Sequence, residues 1–367
     1  MTDQSAVLLI SSVHPDLLPP ILNIARVYSQ LGYQVDVLSF GYTLSQKCKL
    51  NDGKITYHVL EKYEGSFFQK IRSQFAFGRK TFRLLDSVKE LKYVFVFCPV
   101  SFFWASLSKG SNRLILHCIE IYKKPIAVSF DLIFHYYFVK NMPKSRLIFS
   151  PSKERSMDMV SRYHLNTNPG VVLNAPFQCE LNYKRVKHDK IRLIHTGGMN
   201  VTRGILELLR AFKLIRHGNF ELFVTNIDNS EYSKLIKDFV KMEELDNVFL
   251  LPTLDRAALI ELQASADIGI CFIKRTDCVD TDLIAPNKLG EYLLHGLVCI
   301  VSDQTYFKMM ETHEFIKSVS INDALSVSRA IESASELVKT GHTKILIGKF
   351  LRHEYNMMHQ LRSNKLI

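Results

Sequence analysis

Short apolar runs rich in β-branched residues alternate along the chain with amphipathic stretches of helical length. In the first half, the predicted strands are residues 6–10, 35–40, 93–97 and 114–118, and a predicted helix spans 20–31. Strands separated by helices are typical of βαβ units, in which the strands pair in parallel. The first half is therefore predicted to be an α/β domain built on a parallel sheet.

The same alternation begins again at residues 191–195, where a predicted strand runs into Thr196-Gly197-Gly198 and a helix follows over 204–215. Further strands are predicted at 220–225, 248–251, 268–272 and 298–301. A chain of 367 residues is also long enough for two domains of ~150 to 200 residues each. We expect two Rossmann-like, doubly wound parallel-sheet domains.

The predicted domains are residues 1–183 and 184–344, and the polar stretch 178–189 reads as their linker. A last helix is predicted within residues 345–367, at about 345–361. Its aromatic and long side chains would allow it to pack back on the first domain.

The charge is distributed unevenly. Residues 1–185 contain 24 Lys and Arg against 13 Asp and Glu, whereas the remainder contains 23 of each, so the whole net charge of +11 lies in the first half. Such an excess favours an anionic partner there, for example a membrane surface or a charged acceptor. No recognised nucleic-acid-binding module accompanies the charge, so we expect no nucleic acid partner.

The densest basic segment, residues 67–85, forms an amphipathic pattern at about 100° per residue. The predicted apolar arc holds Phe68, Ile71, Phe75, Phe82 and Leu85. The basic residues off that arc are Lys70, Arg72, Arg79, Lys80 and Arg83. Two interpretations stay open: a helix packed on its own sheet with a solvated basic face, or an interfacial helix that touches anionic lipid. A glycine at position 78 weakens the prediction of a helix.

Several other classes of protein are disfavoured. The amino-terminal residues lack the positive region of a signal peptide, and no apolar run reaches the ~18 residues of a membrane span. The seven cysteines are scattered without a C-x-x-C pair, which favours reduced thiols in the cytoplasm and no metal site. No G-x-G-x-x-G follows either opening strand, which argues against a nicotinamide-dependent oxidoreductase.

Three stretches in the second half, in order, resemble retaining GT-B glycosyltransferases of glycosyltransferase family 4. They are LIHTGGMNVTRGILELLRAF at 193–212, SADIGICFI at 265–273 and APNKLGEYLLHGLVCIVSD at 285–303. The resemblance implies two Rossmann-like domains that face a central cleft, with acceptor binding in the first and donor binding in the second. It also implies transfer of a sugar from a nucleoside-diphosphate sugar, with retention and without a metal ion.

The residues agree with a diphosphate site. A diphosphate needs backbone N–H groups at a helix amino terminus together with cations. A proline at position 286 starts a predicted helix that ends at Gly296, and the carboxylate at 291 lies one turn into it, within reach of ribose hydroxyls. The candidate donor-binding residues are Gly197, Gly198, Arg203, Pro286, Asn287, Lys288 and Glu291.

The sequence departs from the family pattern at two positions. Met199 stands where relatives often have Arg directly after the glycine turn, and Leu283 stands where the first Glu of an E-x7-E motif is expected. The charged loop 274–285 offers replacements. They are Lys274 or Arg275 for phosphate, and Asp280 or Asp282 for sugar hydroxyls, with Asp282 taken as a catalytic candidate.

In the first half, the strand at 114–118 leads to two catalytic candidates, His117 and Glu120. A lone His in an apolar strand is more often a core residue, whereas Glu120 lies beyond the strand end, where α/β proteins bind ligands. His14-Pro15-Asp16 replaces a glycine-rich loop that is common in relatives, so acceptor binding is expected to differ.

The acceptor implied by the resemblance is a glycan or a lipid-linked molecule in the synthesis of bacterial surface polysaccharides. The protein would then work in the cytoplasm, peripherally at the inner face of the cell membrane. Two alternatives stay open: a nucleotide-sugar epimerase or hydrolase, and a catalytically impaired GT-B protein that binds nucleotide as a scaffold subunit.

Overall fold

The computed structural model describes residues 5–15, 18–41, 53–61, 66–88, 90–120, 130–172, 188–215, 219–275, 281–310, 313–341 and 357–366. These residues form two compact units. The first contains the described residues up to 172 together with 357–366, and the second contains those from 188 to 341. The predicted boundary between 183 and 184 lies outside the described residues.

The first unit is a seven-stranded, all-parallel sheet in the order β3-β2-β1-β4-β5-β6-β7. Its elements are β1 (Ala6–Ile10), α1 (Pro19–Gln30), β2 (Gln34–Gly41), β3 (Ile55–Glu61), α2 (Phe67–Ser87), β4 (Leu91–Val96), α3 (Pro99–Lys109), β5 (Leu114–His117), α4 (Phe130–Asn141), β6 (Leu147–Ser150), α5 (Lys153–Tyr163) and β7 (Gly170–Val171). The strand order reverses between β1 and β4, as in a doubly wound sheet.

Helices α2, α3 and α4 share one hydrophobic core with the sheet. Apolar side chains at alternate positions of β1, such as Leu8 and Ile10, enter this core together with Phe77 of α2, Phe102 of α3 and Phe138 of α4. The alternation places one set of strand side chains on this face because successive side chains of a strand point to opposite sides. The buried sheet is thus covered by helices, as a parallel sheet requires.

Helix α2 forms over the predicted segment but buries a different face in its first half. Phe68 and Phe75, which were expected on the buried arc, are exposed, whereas Phe77 and Gly78 are buried. The reason is the indole of Trp104 on α3: a Cβ on Gly78 would lie 2.5 Å from ring atoms of that indole. The glycine that weakened the helix prediction therefore allows the helix to pack closely on α3.

The second unit is a six-stranded, all-parallel sheet in the order β10-β9-β8-β11-β12-β13. Its elements are β8 (Ile191–His195), α6 (Ile205–Lys213), β9 (Phe220–Val224), α7 (Glu231–Met242), β10 (Val248–Leu250), α8 (Arg256–Ser265), β11 (Ile268–Cys271), α9 (Asn287–Leu294), β12 (Val298–Ser302), α10 (Thr305–Met310), β13 (Ile316–Val319) and α11 (Ala324–Thr340). The prediction of two doubly wound parallel sheets is confirmed.

A carboxyl-terminal helix, α12 (Met357–Ser363), belongs to the first unit and contacts α1. The hydroxyl of Tyr28 on α1 donates a hydrogen bond to the carbonyl oxygen of Leu366, just beyond α12, at 3.1 Å. Residues 345–356 of the predicted last helix lie outside the described residues. No helix in the described part of the chain is both long enough and apolar enough to span a bilayer.

Candidate functional site

The second sheet reverses its strand order at β8, which pairs with β9 on one side and with β11 on the other. Connections diverge to opposite sides of the sheet at such a reversal, and the crevice outside the carboxyl ends of the strands is where doubly wound proteins bind ligands. β8 ends at His195 and β11 ends at Cys271. The segment after β8 and the first turn of α9 supply the surrounding residues.

A tight turn follows β8 and is held by two side chains. Gly197 has a φ of +119°, which side chains rarely tolerate, so a glycine is required there. The Nδ2 of Asn226 donates to the carbonyl oxygen of Gly197 at 2.9 Å, and the Tyr292 hydroxyl accepts from the backbone N–H of Thr196 at 2.8 Å. Gly198 has no left-handed φ, and a Cβ there would make only ordinary contacts.

Helix α9 begins where the sequence predicts. Pro286 is the N-cap residue, the helix runs from Asn287, and Gly296 with a φ of +75° follows its end. The helix packs closely on β11 because a Cβ on Gly269 would lie 2.3 Å from the ring of Tyr292. The first turn of α9 carries no acidic residue, so the partial positive charge of this helix end is not offset by a carboxylate there and attracts an anion.

Three nitrogen-bearing side chains meet at the end of β8. The Nζ of Lys288 lies 3.3 Å from Nε2 of His195. Burial lowers the pKa of Lys288 to about 8, and the charge of Arg203 acts in the same direction. Burial also lowers the pKa of His195, and the charges of Lys288 and Arg203 add to this effect. The imidazole is therefore neutral at pH 7, while Lys288 and Arg203 are cations.

These two cations have no acidic partner in the described part of the chain. No ion pair there includes Lys288 or Arg203, and the Nε of Arg203 is buried without a hydrogen-bond partner. Because buried charges are normally paired, the buried Lys288 and the half-buried Arg203 beside a helix amino terminus favour a bound anion. The sequence-predicted residues Gly197, Arg203 and Lys288 thus lie together, with the first turn of α9 beside them.

Glu291 is buried, and both of its carboxylate oxygens accept hydrogen bonds from α8. The Nη1 of Arg256 lies 2.6 Å from Oε1, and the Nε2 of Gln263 lies 2.8 Å from Oε2. These bonds use one lone pair of each oxygen and leave the others for hydroxyl groups. The sequence analysis missed Arg256 and Gln263, although their spacing of seven residues places them on one face of a helix.

In the charged loop that follows β11, Lys274 pairs with a residue of α6 and Arg275 pairs within the loop. The Nζ of Lys274 lies 2.6 Å from Oε1 of Glu207, and the Nε of Arg275 lies 2.9 Å from Oδ1 of Asp282. Asp280 lies outside the described residues. Met199, which replaces an expected Arg, packs against the hydrophobic core of the second unit.

The first unit carries an opening at the carboxyl edge of its own sheet. A cavity of about 110 Å³ is lined by residues after β1, β4 and β5, and Glu120 is one of them. His117 is fully buried between the rings of Phe97 and Phe149, and burial lowers its pKa to about 4. Of the two catalytic candidates, only Glu120 lines this cavity.

Two further observations concern the loop after β1 and metal binding. His14 is buried, and Asp16 lies outside the described residues. Within the described ranges, no group of three or more His, Cys, Asp and Glu side chains is arranged so that it could hold a metal ion.

Solved structures share this architecture. A glycosyltransferase from Rickettsia africae matches 98% of this chain and 97% of its own, with a TM-score of 0.70 and 13% identity. HepE from Anabaena, in complex with UDP and glucose, matches 99% of this chain and 98% of its own, with a TM-score of 0.71 and 13% identity. A putative UDP-N-acetylglucosamine 2-epimerase from Listeria monocytogenes matches 94% and 91%, with a TM-score of 0.62 and 13% identity.

No protein-family model and no curated protein matches the sequence. The structural likeness extends over nearly the whole length of both chains in each comparison. The chain therefore has the GT-B fold.

Proposed function

We propose that this protein is a glycosyltransferase that moves a hexose or a related sugar from a nucleoside-diphosphate sugar to a glycan or lipid-linked acceptor. The main supporting observation is that the buried cation Lys288 and the half-buried Arg203 lie beside the amino terminus of α9 without a described acidic partner. A diphosphate supplies the missing negative charge. The complex of Anabaena HepE with UDP and glucose, on the same fold, supports this choice of ligand.

In this proposal each donor group has a place at the β8–β11 reversal. The diphosphate lies against the turn at Gly197 and Gly198, the amino terminus of α9, Arg203 and Lys288. The ribose hydroxyls donate to the lone pairs of Glu291 that Arg256 and Gln263 leave open. Asn287 is the first residue of α9 and lies at the positive end of the helix, next to the diphosphate.

Transfer proceeds with retention of the anomeric configuration. The acceptor hydroxyl attacks the anomeric carbon on the face from which the diphosphate leaves, and the carbon passes through an oxocarbenium-like state. The proton of that hydroxyl passes to the departing diphosphate oxygen, so no protein nucleophile is needed. The protein contributes position and positive charge, which stabilise the leaving group as its charge develops.

The acceptor belongs to the first unit in this proposal. Glu120 lines the cavity at the carboxyl edge of that sheet, where it is placed to orient an acceptor hydroxyl. Asp282 would address sugar hydroxyls from the loop after β11 on exchanging its contact with Arg275. We assign the product to surface polysaccharide synthesis at the inner face of the cell membrane, because the basic first half suits an anionic lipid-linked acceptor.

A second candidate function is epimerisation or hydrolysis of the nucleotide sugar. It is supported by the fold shared with a putative UDP-N-acetylglucosamine 2-epimerase from Listeria monocytogenes. A third candidate function is nucleotide binding without turnover. It is supported by Met199, which stands at a position expected to hold a phosphate-binding Arg and packs against the hydrophobic core instead.

Two assays test these candidates. A thermal-shift panel of UDP, GDP and CDP identifies the nucleotide, and the matching sugar nucleotides are then incubated with and without an extract of lipid-linked acceptors. Sugar incorporation that requires the extract supports the transferase. An epimer or free sugar formed from the donor alone supports the second candidate, and a thermal shift without any turnover supports the third. No shift with any nucleotide would overturn the proposal.

A further inference from the structure

Helix α2 turns three aromatic side chains toward solvent. Phe67, Phe68 and Phe75 are 59%, 79% and 54% exposed. Burying a Phe side chain stabilises a protein by roughly 1.5 to 3 kcal/mol. Three exposed rings on one helix would therefore contribute a large favourable free energy to any association that buries them. Single exposed apolar residues are ordinary, but a group of them marks an interaction surface.

Helix α4 adds exposed apolar side chains of its own. Ile133 is 53% exposed and Tyr136 is 69% exposed, and Leu132 beside them is also exposed. Eight of the twelve residues in the helix FDLIFHYYFVKN are apolar or aromatic. Its inner face, with Phe134 and Phe138, fills the core, and its outer face therefore remains apolar.

Ring contacts connect the two helices across α3. The Phe75 ring lies 5.6 Å from Trp104, which lies 5.1 Å from Phe103, and the Phe103 ring lies 5.0 Å from Tyr137 on α4. The exposed side chains of α2 and α4 thus flank one continuous aromatic layer. We call the exposed and partly buried apolar side chains of this surface the aromatic band. Its members are Phe67, Phe68, Phe75, Phe103, Leu132, Ile133, Tyr136 and Tyr137.

The exposed ends of the band lie near the carboxyl edge of the first sheet. Helix α2 follows β3 and helix α4 follows β5, and in a parallel sheet each such helix begins at the edge where its strand ends. Phe67 and Phe68 open α2, and Leu132 and Ile133 lie in the first turn of α4. This is the edge at which the Glu120 cavity lies.

The band is bordered by uncompensated positive charge. Lys70, Arg72, Arg79 and Arg83 of α2 are exposed, and Lys80 is half-buried. Within the described chain, none of these five side chains forms an ion pair. The one acidic residue of α2, Asp86, lies 3.5 Å from Lys109 of α3 and so does not neutralise them.

We propose that the aromatic band and these five basic residues dock the first unit on an anionic lipid bilayer. The aromatic side chains enter the boundary between headgroups and acyl chains, and the cations contact lipid phosphates. Charge complementarity selects this occupant over a second copy of the chain, because two copies of a basic face repel each other. Docking here holds the carboxyl edge of the first sheet toward the lipid, where a lipid-linked acceptor is available. The inference stands on the exposed surface alone and does not require the proposed transfer reaction.

Co-sedimentation with vesicles tests the surface. The full chain is expected to pellet with phosphatidylcholine vesicles that contain phosphatidylglycerol, and far less with phosphatidylcholine alone. The charge variant Lys70→Gln/Arg72→Gln/Arg79→Gln should bind the anionic vesicles about 100-fold more weakly, since each basic residue near such a surface contributes about 1 kcal/mol. The aromatic variant Phe67→Ser/Phe68→Ser should lose at least about tenfold on the same vesicles.

Helix α7 of the second unit supplies matched controls, because it also exposes apolar and basic side chains. The control variants are Leu235→Ser/Met242→Ser and Lys234→Gln/Lys237→Gln/Lys241→Gln. Both should bind anionic vesicles like the unaltered chain. If a control variant loses as much binding as its α2 counterpart, the attraction is a general property of the chain and the assigned surface is wrong.

The single tryptophan of the chain gives an independent reading of the geometry. Trp104 lies directly under the band, in contact with Phe75, so lipids brominated near the headgroup should quench its fluorescence on docking. Binding without quenching would show that another surface contacts the lipid.

Two other results would also overturn the inference. One is equal binding to neutral and anionic vesicles. The other is self-association of the chain in sedimentation velocity that the aromatic variant abolishes. The thermal shift with nucleotide is measured separately in every variant, because the substituted residues lie outside the proposed donor site. Failure here is therefore distinguishable from failure of the proposed function.

Discussion

The ammonium nitrogen of Lys288 lies 3.3 Å from Nε2 of His195, and both side chains are buried at the carboxyl end of β8. A neutral imidazole nitrogen accepts a hydrogen bond from the ammonium group and so fixes its position. The lowered pKa of His195 keeps the imidazole in that neutral form. The arrangement holds a buried cation at the site without neutralising its charge.

Replacing Lys288 with Met should therefore separate stability from binding. Burying the ammonium group without a partner costs free energy in the ligand-free protein. Lys288→Met should therefore increase the free energy of unfolding by up to roughly 2 to 3 kcal/mol, which is seen as a higher midpoint of thermal unfolding. The same variant should lose the thermal shift produced by the nucleoside diphosphate. The exposed Lys308 on α10 provides the control, because Lys308→Met should change neither quantity. A nucleotide shift that survives in Lys288→Met would contradict the assignment of the diphosphate site.

Nucleotide affinity should fall as pH rises through about 8, the pKa of the buried Lys288 ammonium group. Below this pH the lysine is protonated and attracts the diphosphate, whereas above it the charge is lost, and the affinity should decline up to about tenfold per pH unit. His195 does not contribute in this range because its pKa is lowered well below 6.5. Isothermal titration calorimetry at several pH values between about 7.5 and 9.5, on either side of that pKa, measures the change in nucleotide affinity.

Stability of the ligand-free protein should change in the opposite direction over the same range. The folded pKa of Lys288 lies below its unfolded value of 10.5. Between about pH 8 and 10.5 the unfolded chain therefore binds more protons, and the free energy of unfolding increases as pH rises.

A Lys288→Arg variant is the control for the pH dependence of nucleotide binding. It stays charged at every one of these pH values and should bind nucleotide without the decline in affinity. A decline that persists in that variant would assign the titration to another group.

Gln263 and Arg256 should act as positioning residues for Glu291. Without the amide of Gln263, the Oε2 of Glu291 loses a hydrogen bond in a buried setting, and a bond to a charged group is worth about 1.5 to 3 kcal/mol. Gln263→Leu should therefore weaken nucleotide binding by about tenfold or more with little change in kcat. The exposed Glu261 on the same helix provides the control as Glu261→Gln.

The readout that separates positioning from simple destabilisation is the preference for ribose. The unaltered protein should bind the nucleoside diphosphate more tightly than its 2′-deoxy form, and Gln263→Leu and Glu291→Gln should reduce this ratio. If both variants weaken the two nucleotides equally, Glu291 does not contact the ribose and holds α8 and α9 together instead.

Much of this site follows from the sequence because its parts are local. A glycine turn after a strand and a proline before a helix specify backbone geometry within a few residues, and Gly197, Pro286 and Gly296 adopt the conformations expected of them. Arg256 and Gln263 were missed because their partner is 28 residues or more away in the chain, and only the packing of α8 against α9 brings them together. Periodicity predicts that a helix is amphipathic but does not identify its contacts across the fold.

The orientation of α2 illustrates the same limit. Helical periodicity places Phe68 and Phe75 on one arc, and the apolar arc of a helix normally faces the core. The helix instead turns Gly78 inward because the large indole of Trp104 needs a position without a side chain. This requirement comes from α3, 26 residues further along, and no pattern within α2 reveals it.

Sugar transfer should persist in the presence of EDTA. In the proposed mechanism, Lys288, Arg203 and the amino terminus of α9 supply the positive charge that a divalent cation provides at other phosphate sites. Initial rates with excess EDTA should match those with added Mg²⁺ or Mn²⁺. A rate that collapses with EDTA and returns with either metal would show that these groups do not stabilise the leaving group alone.

Gly78→Ala should destabilise the first unit although alanine is the better helix former. Helix propensity alone predicts a gain of roughly 0.5 to 1 kcal/mol. The new Cβ, however, would lie 2.5 Å from ring atoms of the buried Trp104, and overpacking of this kind costs about 1 to 3 kcal/mol. We expect a net loss of about 1 kcal/mol in the free energy of unfolding, measured by urea denaturation followed by circular dichroism.

A double-mutant cycle with Trp104→Phe identifies the cause of that loss. Phenylalanine is smaller than tryptophan and leaves room for the new methyl group, so Gly78→Ala should become neutral or stabilising in the Trp104→Phe background. The two substitutions are then coupled through the contact between α2 and α3. If Gly78→Ala stabilises the protein that retains Trp104, the helix does not pack as closely on α3 as described, and the outward orientation of Phe68 and Phe75 loses its explanation.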